Sequence, residues 1–110
     1  MGWIGLRGRI GRYATFVLAL GVDLHLPECR SLKAKRSVLR PLLEALRRPP
    51  AVAAAEVADQ DKWQRARLGI VAVAASVTQA DELIDAAERV LWTRPDVQVL
   101  AVERSWMDEG

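Results

Sequence analysis

Two polar segments of the sequence carry residue types that bind anions and flat aromatic rings. Residues 25–36 read HLPECRSLKAKR, and residues 59–65 read DQDKWQR. Lysine and arginine side chains neutralise phosphates, and a tryptophan ring can stack on a nucleic-acid base. The side chains that we predict to contact RNA or another anion, including one just beyond the first segment, are Lys33, Lys35, Arg36, Arg40, Trp63 and Arg65.

The other polar residues of these segments form a predicted cluster that allows two interpretations. Its members are His25, Ser31, Asp59, Gln60, Asp61 and Gln64. In the first interpretation, their carboxylates and amides recognise a polar partner beside the basic groups. In the second, Asp59 and Asp61 pair with Lys33 and Arg36 and hold the loop in place. Both interpretations stay open, because one cluster can do both.

The residue pattern does not favour an enzyme. His25 is the only histidine, and an enzymatic hypothesis would require it to share a pocket with Asp59 or Asp61. The sequence contains no glycine-rich phosphate loop, serine elbow or HExxH pair. Two aspartates fall short of the six or so oxygen ligands that a hard cation takes. We therefore predict a non-enzymatic protein without catalytic residues, metal site or cofactor.

Composition narrows the classes of partner. The 110 residues are 51% hydrophobic, which suits a single core and leaves no room for a second domain. The formal net charge is only +2, so any electrostatic attraction must be local. No apolar run is long enough to span a bilayer, and Cys29, the only cysteine, is expected to be an unpaired loop thiol. These features predict a cytoplasmic protein with no membrane partner and no internal disulfide.

Hydrophobic periodicity predicts four strands and two helices. Strict alternation from Phe16 to Leu26 is typical of a strand with one buried face. Ser31 is the predicted cap of a helix that ends before Pro49, and Thr78 with Asp81 resembles the capping box of a second helix. The other predicted strands are Val52–Val57, Leu68–Ala75 and Val97–Ser105.

The order of these elements predicts an α+β protein with a ferredoxin-like β-α-β-β-α-β fold, in which both helices cover one face of a four-stranded antiparallel sheet. The domain is expected to cover residues 15–106. Residues 1–14 are expected to be a basic, flexible extension or a mis-assigned start. In this topology the first two strands run parallel with the third between them, so the two polar segments should meet at one edge.

The predicted open face of the sheet favours a protein contact over RNA. Its central positions are Val17, Ala19, Gly21, Gly69, Val71 and Val73. An RNA recognition motif places aromatic residues at such positions to stack bases, whereas these side chains are small and aliphatic. Homodimerisation through the open face is therefore a second structural interpretation.

The phrases SLKAKRSVL at residues 31–39 and DQDKWQRA at residues 59–66, with AEV just ahead of the second, resemble the YlxP-like family, a bacterial domain of unknown function. The resemblance covers roughly residues 15–105. It implies a ferredoxin-like fold and a small protein whose gene often lies among those for translation and ribosome maturation factors. It does not imply a known activity. The chain departs from the family pattern by its basic residues 1–14 and by PPA at residues 49–51.

Two hypotheses follow for the function. In the first, the protein is a non-enzymatic accessory factor that contacts RNA or a ribonucleoprotein in translation or ribosome maturation. In the second, it is a homodimeric protein-interaction module with no nucleic-acid role. Phosphate contacts release counterions, so only the first predicts an affinity that falls steeply with salt.

Overall fold

The computed structural model describes residues 9–10 and 13–107. Two short strands come first, β1 (Arg9–Ile10) and β2 (Tyr13–Ala14), and they pair antiparallel. Most of the predicted extension, residues 1–8 and 11–12, lies outside the described residues. Its flexibility therefore stays a prediction.

The main sheet has the predicted order of elements. The elements are β3 (Phe16–His25), α1 (Leu32–Leu46), β4 (Val52–Ala58), β5 (Arg65–Ala74), α2 (Val77–Trp92) and β6 (Gln98–Trp106). The strand order across the sheet is β4-β5-β3-β6, and neighbouring strands are antiparallel. Strands β3 and β4 are therefore parallel with β5 between them, as predicted.

One hydrophobic core fixes both helices on the same face of the sheet. The even-numbered residues of β3 from Leu18 to Leu24 are buried, and the odd-numbered ones are only partly buried. The buried face packs against residues such as Leu42 of α1 and Ile84 of α2. Burying a leucine or isoleucine side chain contributes about 1.5–3 kcal/mol relative to leaving it exposed. The alternation along β3 thus decides which face the helices cover.

The helix starts were predicted with mixed success. Ser31 caps α1 as predicted, because its Oγ accepts a hydrogen bond of 3.0 Å from Ala34 N. The predicted capping box of the second helix is wrong. Ser76 is the cap of α2, and its Oγ accepts a hydrogen bond of 3.1 Å from Gln79 N. Within the described chain, neither helix has the length and apolar character needed to cross a bilayer.

Strand β5 begins at Arg65, three residues before the predicted start at Leu68. Ala66 and Leu68 are buried in the core, while Arg65 and Arg67 lie on the opposite, open face. Residues 65–68 alternate polar and apolar as a half-buried strand does, but the prediction counted only the apolar run that follows. This earlier start places two arginines on a face that was predicted to be small and aliphatic.

Candidate nucleic-acid interface

The two polar segments meet at one edge of the fold. Leu26 N donates a hydrogen bond of 2.9 Å to the carbonyl oxygen of Gln64. The side chain of Gln64 reaches back, and its Nε2 donates to the carbonyl oxygens of Pro27 at 3.3 Å and Cys29 at 3.2 Å. Gln64 therefore ties the loop between β4 and β5 to the loop that enters α1.

Lys35 is a buried structural residue, which corrects its predicted role as an exposed anion contact. Its side chain is 2% exposed, and its Nζ donates a hydrogen bond of 2.7 Å to the carbonyl oxygen of Asp59. Its Nζ also lies 2.7 Å from Glu56 Oε2. The approach to Glu56 is not directed as a hydrogen bond, so this contact is an ion pair. Lys35 joins α1, β4 and the following loop and cannot reach a phosphate.

The spacing of residues along α1 explains the burial of Lys35. The buried residues of this helix are Lys35, Leu39, Leu42 and Leu46. They recur every three or four positions, which is the spacing of one helical face. Because lysine is usually solvated, Lys35 was assigned to the exposed face of α1. Its spacing from Leu39 and Leu42 already indicated the apolar face. Glu56 was missed for a related reason, because its partner was taken to be solvated.

Asp59 is held in a left-handed backbone conformation with φ of 63°. Its carbonyl oxygen accepts hydrogen bonds from Lys35 Nζ and from Lys62 N, the latter of 3.0 Å. Its carboxylate pairs with Lys62, where Nζ lies 3.3 Å from Oδ1. The expected pairing of Asp59 with Lys33 or Arg36 is therefore wrong, since a neighbour within the loop is closer. Gln60 and Asp61 are exposed.

We expect Asp59→Gly to leave the free energy of unfolding within about 0.5 kcal/mol, because glycine adopts positive φ freely. Asp59→Val should lower it by about 1–2 kcal/mol, because a β-branched side chain is strained in the left-handed region. Urea denaturation of the two variants measures the difference. Equal stability of both would show that the backbone at this position relaxes out of the left-handed conformation.

The remaining predicted cluster residues do not all come together. His25 points to the open face, where its Nδ1 donates a hydrogen bond of 2.8 Å to Gln98 Oε1. Ser31 is used by the helix cap. His25 is thus engaged with β6, and Asp59 is engaged with α1 and its own loop. Within residues 15–107, no group of three or more His, Cys, Asp or Glu side chains is arranged to hold a metal ion.

Cys29 is buried at the same junction. The thiol is free. Desolvation by burial and then the nearby Asp96 carboxylate raise the pKa of the Cys29 thiol. Because the thiolate is the reactive form, a raised pKa keeps this thiol unreactive at neutral pH. Cys29 therefore acts as a small core residue beneath the two loops.

The exposed basic side chains of α1 lie along one side of the helix. We call Lys33, Arg36, Arg40 and Arg47 the basic flank; all four are exposed. At 100° per residue they fall within a sector of about 60°, and they span about 21 Å along the helix axis. Glu44 lies about 20° outside this sector, next to Lys33. Arg47, the C-cap residue, also donates from Nε to the carbonyl oxygen of Ala54 in β4 at 2.7 Å.

A groove of about 400 Å³ separates α1 from the edge strand β4. Arg36, Arg40 and Arg47 line it together with Leu39 and Leu43. Gln60 lines the end near the loop between β4 and β5. Glu44 and Glu56 line it too. Three of the four basic-flank residues therefore border a concave surface that combines leucines with two carboxylates.

Trp63 and Arg65 follow Gln60 along the chain, in the loop between β4 and β5 and at the start of β5. Trp63 is 52% exposed, and Arg65 at the start of β5 is exposed as well. Of the six side chains predicted to contact an anion, the structure leaves five accessible: Lys33, Arg36, Arg40, Trp63 and Arg65. Their role in binding stays a prediction.

The open face of the sheet has an apolar half and a charged half, which corrects the expectation of a uniformly small and aliphatic face. Arg67 lies at its centre, with Nη1 3.2 Å from Asp23 Oδ1 and Nη2 paired with Glu103. Hydrogen bonds to Glu103 and then to Asp23 raise the pKa of Arg67. A Cβ atom at Gly21 would collide with the Arg67 guanidinium, so glycine lets this side chain lie across β3.

The opposite edge of the fold is acidic. Arg104 of β6 pairs with three carboxylates on α2, at 3.5 Å from Asp81, 2.6 Å from Asp85 and 3.3 Å from Glu88. This network ties β6 to α2. It also means that the basic flank on α1 and the acidic side of α2 belong to different edges of the sheet, since β4 and β6 are the two edge strands.

The four-stranded sheet with its two helices defines an α+β protein of ferredoxin-like fold. Residues 17–104 match the family described as "Protein of unknown function (DUF503)", and the chain belongs to this family. The predicted YlxP-like membership is therefore confirmed. "Uncharacterized protein YlxP" of Bacillus subtilis (strain 168) is 30% identical over 76 residues, which are 69% of this chain and 83% of the relative.

Two designed proteins are similar in structure. "De novo designed protein Foldit4" has a TM-score of 0.52 at 10% identity, covering 87% of this chain and 99% of its own. "De novo designed protein LFR1 1 with ferredoxin fold" has a TM-score of 0.45 at 10% identity, covering 86% of this chain and 85% of its own. Likeness at such low identity concerns the fold alone.

Proposed function

We propose that this protein is a non-enzymatic accessory factor that contacts RNA or a ribonucleoprotein through the basic flank of α1 and Trp63. The observation that carries the proposal is the placement of four exposed basic side chains along one side of α1, together with the bond from Lys35 of α1 to the loop that carries the half-exposed Trp63. Arginine and lysine supply phosphate contacts, and tryptophan supplies a stacking surface that tolerates any base.

The distribution of charge supports this proposal. Residues 28–65 contain nine Lys and Arg but five Asp and Glu, whereas residues 66–107 contain four and six. Within the first range, Glu56 is paired with Lys35 and Asp59 with Lys62. The basic flank thus keeps a local positive potential that the small net charge of the whole chain conceals. A local positive surface steers a polyanion to one side of the molecule.

The proposal of an accessory factor without catalysis rests on how the polar groups are used. Lys35 holds Glu56 and the carbonyl of Asp59, and Gln64 holds two further carbonyls. His25 is bonded to Gln98 on another face. These side chains organise a surface. The YlxP-like resemblance, with its implied gene neighbourhood, directs the search to ribosomal RNA and its assembly intermediates.

The test is sedimentation of the purified protein with ribosomal subunits and with total RNA, at about 50 mM and about 200 mM salt. The variant carries Arg36→Ala and Arg40→Ala, and the matched control carries Arg89→Ala, an exposed arginine on α2. We expect association at the lower salt that weakens at the higher salt, is lost in the double variant and persists in the control. Absence of association at the lower salt would overturn the proposal.

A second candidate function is a homodimeric interaction module, favoured by the apolar half of the open face. Val17, Ala19, Val71 and Val73 lie side by side there on paired strands, and Val73 is about half exposed. Sedimentation velocity of the wild type and of Val73→Lys tests this candidate, with Val77→Lys on α2 as an equally exposed control. A dimer lost only in Val73→Lys would support it, and a monomeric wild type would exclude it.

A further inference from the structure

We infer that the RNA taken by this surface is single-stranded, with a base stacked on Trp63 and the backbone running along the basic flank in the groove between α1 and β4. This inference rests on the proposed function and names the class of RNA. It follows from three properties of the surface: an exposed aromatic ring on a loop that is fixed at both ends, a groove with leucines in its floor, and a linear row of cations.

The first property is the rigid attachment of the loop that carries Trp63. At the start of loop 59–64, buried Lys35 holds the carbonyl of Asp59. At its end, Gln64 is bonded through both backbone and side chain to the segment before α1. A loop fixed at both ends loses little backbone freedom when a ligand binds to the ring that it carries. Its exposure therefore suits a stacking platform, and stacking needs a base whose face is free.

The second property is the shape and lining of the groove. It is about 400 Å³ and runs from Gln60 beside the loop toward Arg47 at the end of α1. Leu39 and Leu43 contribute apolar surface to its floor, and Arg36, Arg40 and Arg47 of the basic flank line it. Glu44 and Glu56 line it as well. Unpaired bases or riboses can enter such a groove while phosphates remain at the rim. The bases of a duplex are stacked and paired inside the helix, so they reach neither the floor nor Trp63.

The third property is the linear arrangement of the cations. The basic flank extends about 21 Å along the helix axis, and it begins near the loop that carries Trp63. A row of cations beside a stacking ring is the arrangement by which proteins bind single strands with little sequence preference. An acidic peptide could use the cations, but it offers nothing that stacks on Trp63 as a base does. The contribution of Trp63 to binding therefore distinguishes single-stranded RNA from an acidic peptide as the ligand.

The test measures fluorescence anisotropy of a labelled RNA of about 12 nucleotides, a length within the range of single-strand sites. The same strand annealed to its complement provides the duplex, and a glutamate-rich peptide of similar length provides the acidic peptide. Each is titrated with the wild type, Trp63→Ala, Trp63→Phe and Trp92→Ala. Trp92 is the matched control, because it is 63% exposed and lies at the end of α2.

We expect the wild type to bind the single strand at least tenfold more tightly than the duplex or the peptide. Trp63→Ala should weaken binding of the single strand by about tenfold, the low to middle part of the range for one stacked base. Trp63→Phe should restore most of the affinity, and Trp92→Ala should not change it.

The outcomes that contradict the inference are distinct from failure of the proposed function. Equal affinity for single strand and duplex, with no effect of Trp63→Ala, would overturn the inference and leave an RNA-contacting surface. Tighter binding of the acidic peptide than of either RNA would overturn it in favour of a protein ligand. Absence of binding to both RNAs at about 50 mM salt would overturn the proposed function and the inference together.

Discussion

Replacing Lys35 with methionine is expected to lower the free energy of unfolding by about 3 kcal/mol, measured by urea denaturation. The substitution leaves the carboxylate of Glu56, itself only 21% exposed, without its cation. Removing one member of a buried ion pair typically costs about 3–5 kcal/mol, because the other charge stays desolvated. The carbonyl of Asp59 also loses its bond to Lys35 Nζ. The loop that carries Trp63 then loses its attachment to α1.

Two comparisons isolate the buried pair as the cause of this effect. Lys33→Met changes an exposed lysine two positions earlier on the same helix, and it should alter stability by less than about 0.5 kcal/mol. The double variant Lys35→Met, Glu56→Met should regain much of the loss, because two apolar side chains pack where one unpaired charge had remained. Equal effects of Lys33→Met and Lys35→Met would contradict the structural role assigned to Lys35.

Leu26→Ala is expected to lower the free energy of unfolding by about 3 kcal/mol, within the range for buried leucines. Leu26 is fully buried and belongs to the core directly beneath the junction of the two polar segments. Its backbone N–H is bonded to Gln64, so the cavity opens beneath the attachment of the loop. We therefore expect Leu26→Ala to accelerate hydrogen exchange more in residues 59–64 than in α2.

The control for Leu26 is Leu100→Ala in β6. Leu100 is about half exposed, so its truncation should cost less than about 1 kcal/mol. Hydrogen exchange at the loop should not change in this variant. A loss of stability in Leu26→Ala that is no larger than in Leu100→Ala would show that the core beneath the loops tolerates the cavity by collapsing.

The sequence predicted the fold because its strongest patterns are the ones that tertiary structure obeys. Alternation along Phe16 to His25 specifies one buried face, and the order of the elements then specifies which strands are neighbours. The meeting of the two polar segments follows from that topology alone. The predicted meeting of the two segments was therefore confirmed, even though the start of β5 and the cap of α2 were predicted wrongly.

The site was predicted less well because residue type was given more weight than position. Lys35 was treated as a solvated cation, although its spacing from Leu39 and Leu42 places it on the buried stripe of α1. Arg67 was treated as part of a loop, although it continues the strand alternation. Long cationic side chains can pair within a core or lie flat on a sheet, and composition alone does not distinguish these cases.

Some features of the site could not be predicted from the sequence. The ion pair between Lys35 and Glu56 joins residues of different elements, and no local pattern links them. The left-handed backbone at Asp59 has no glycine to signal it. The groove beside α1 exists because β4 is an edge strand and leaves one side of the helix uncovered. These three features turn a set of basic residues into a surface of defined shape.

The measurement that tests the central claim most directly is the salt dependence of affinity for single-stranded RNA. If the four cations of the basic flank each neutralise one phosphate, the logarithm of the association constant should fall with the logarithm of salt concentration with a slope of about −3. Arg36→Ala with Arg40→Ala should reduce the slope to about −1.5, and Arg89→Ala should leave it unchanged. A slope near zero, or one that the double variant does not change, would contradict the claim that this flank contacts RNA.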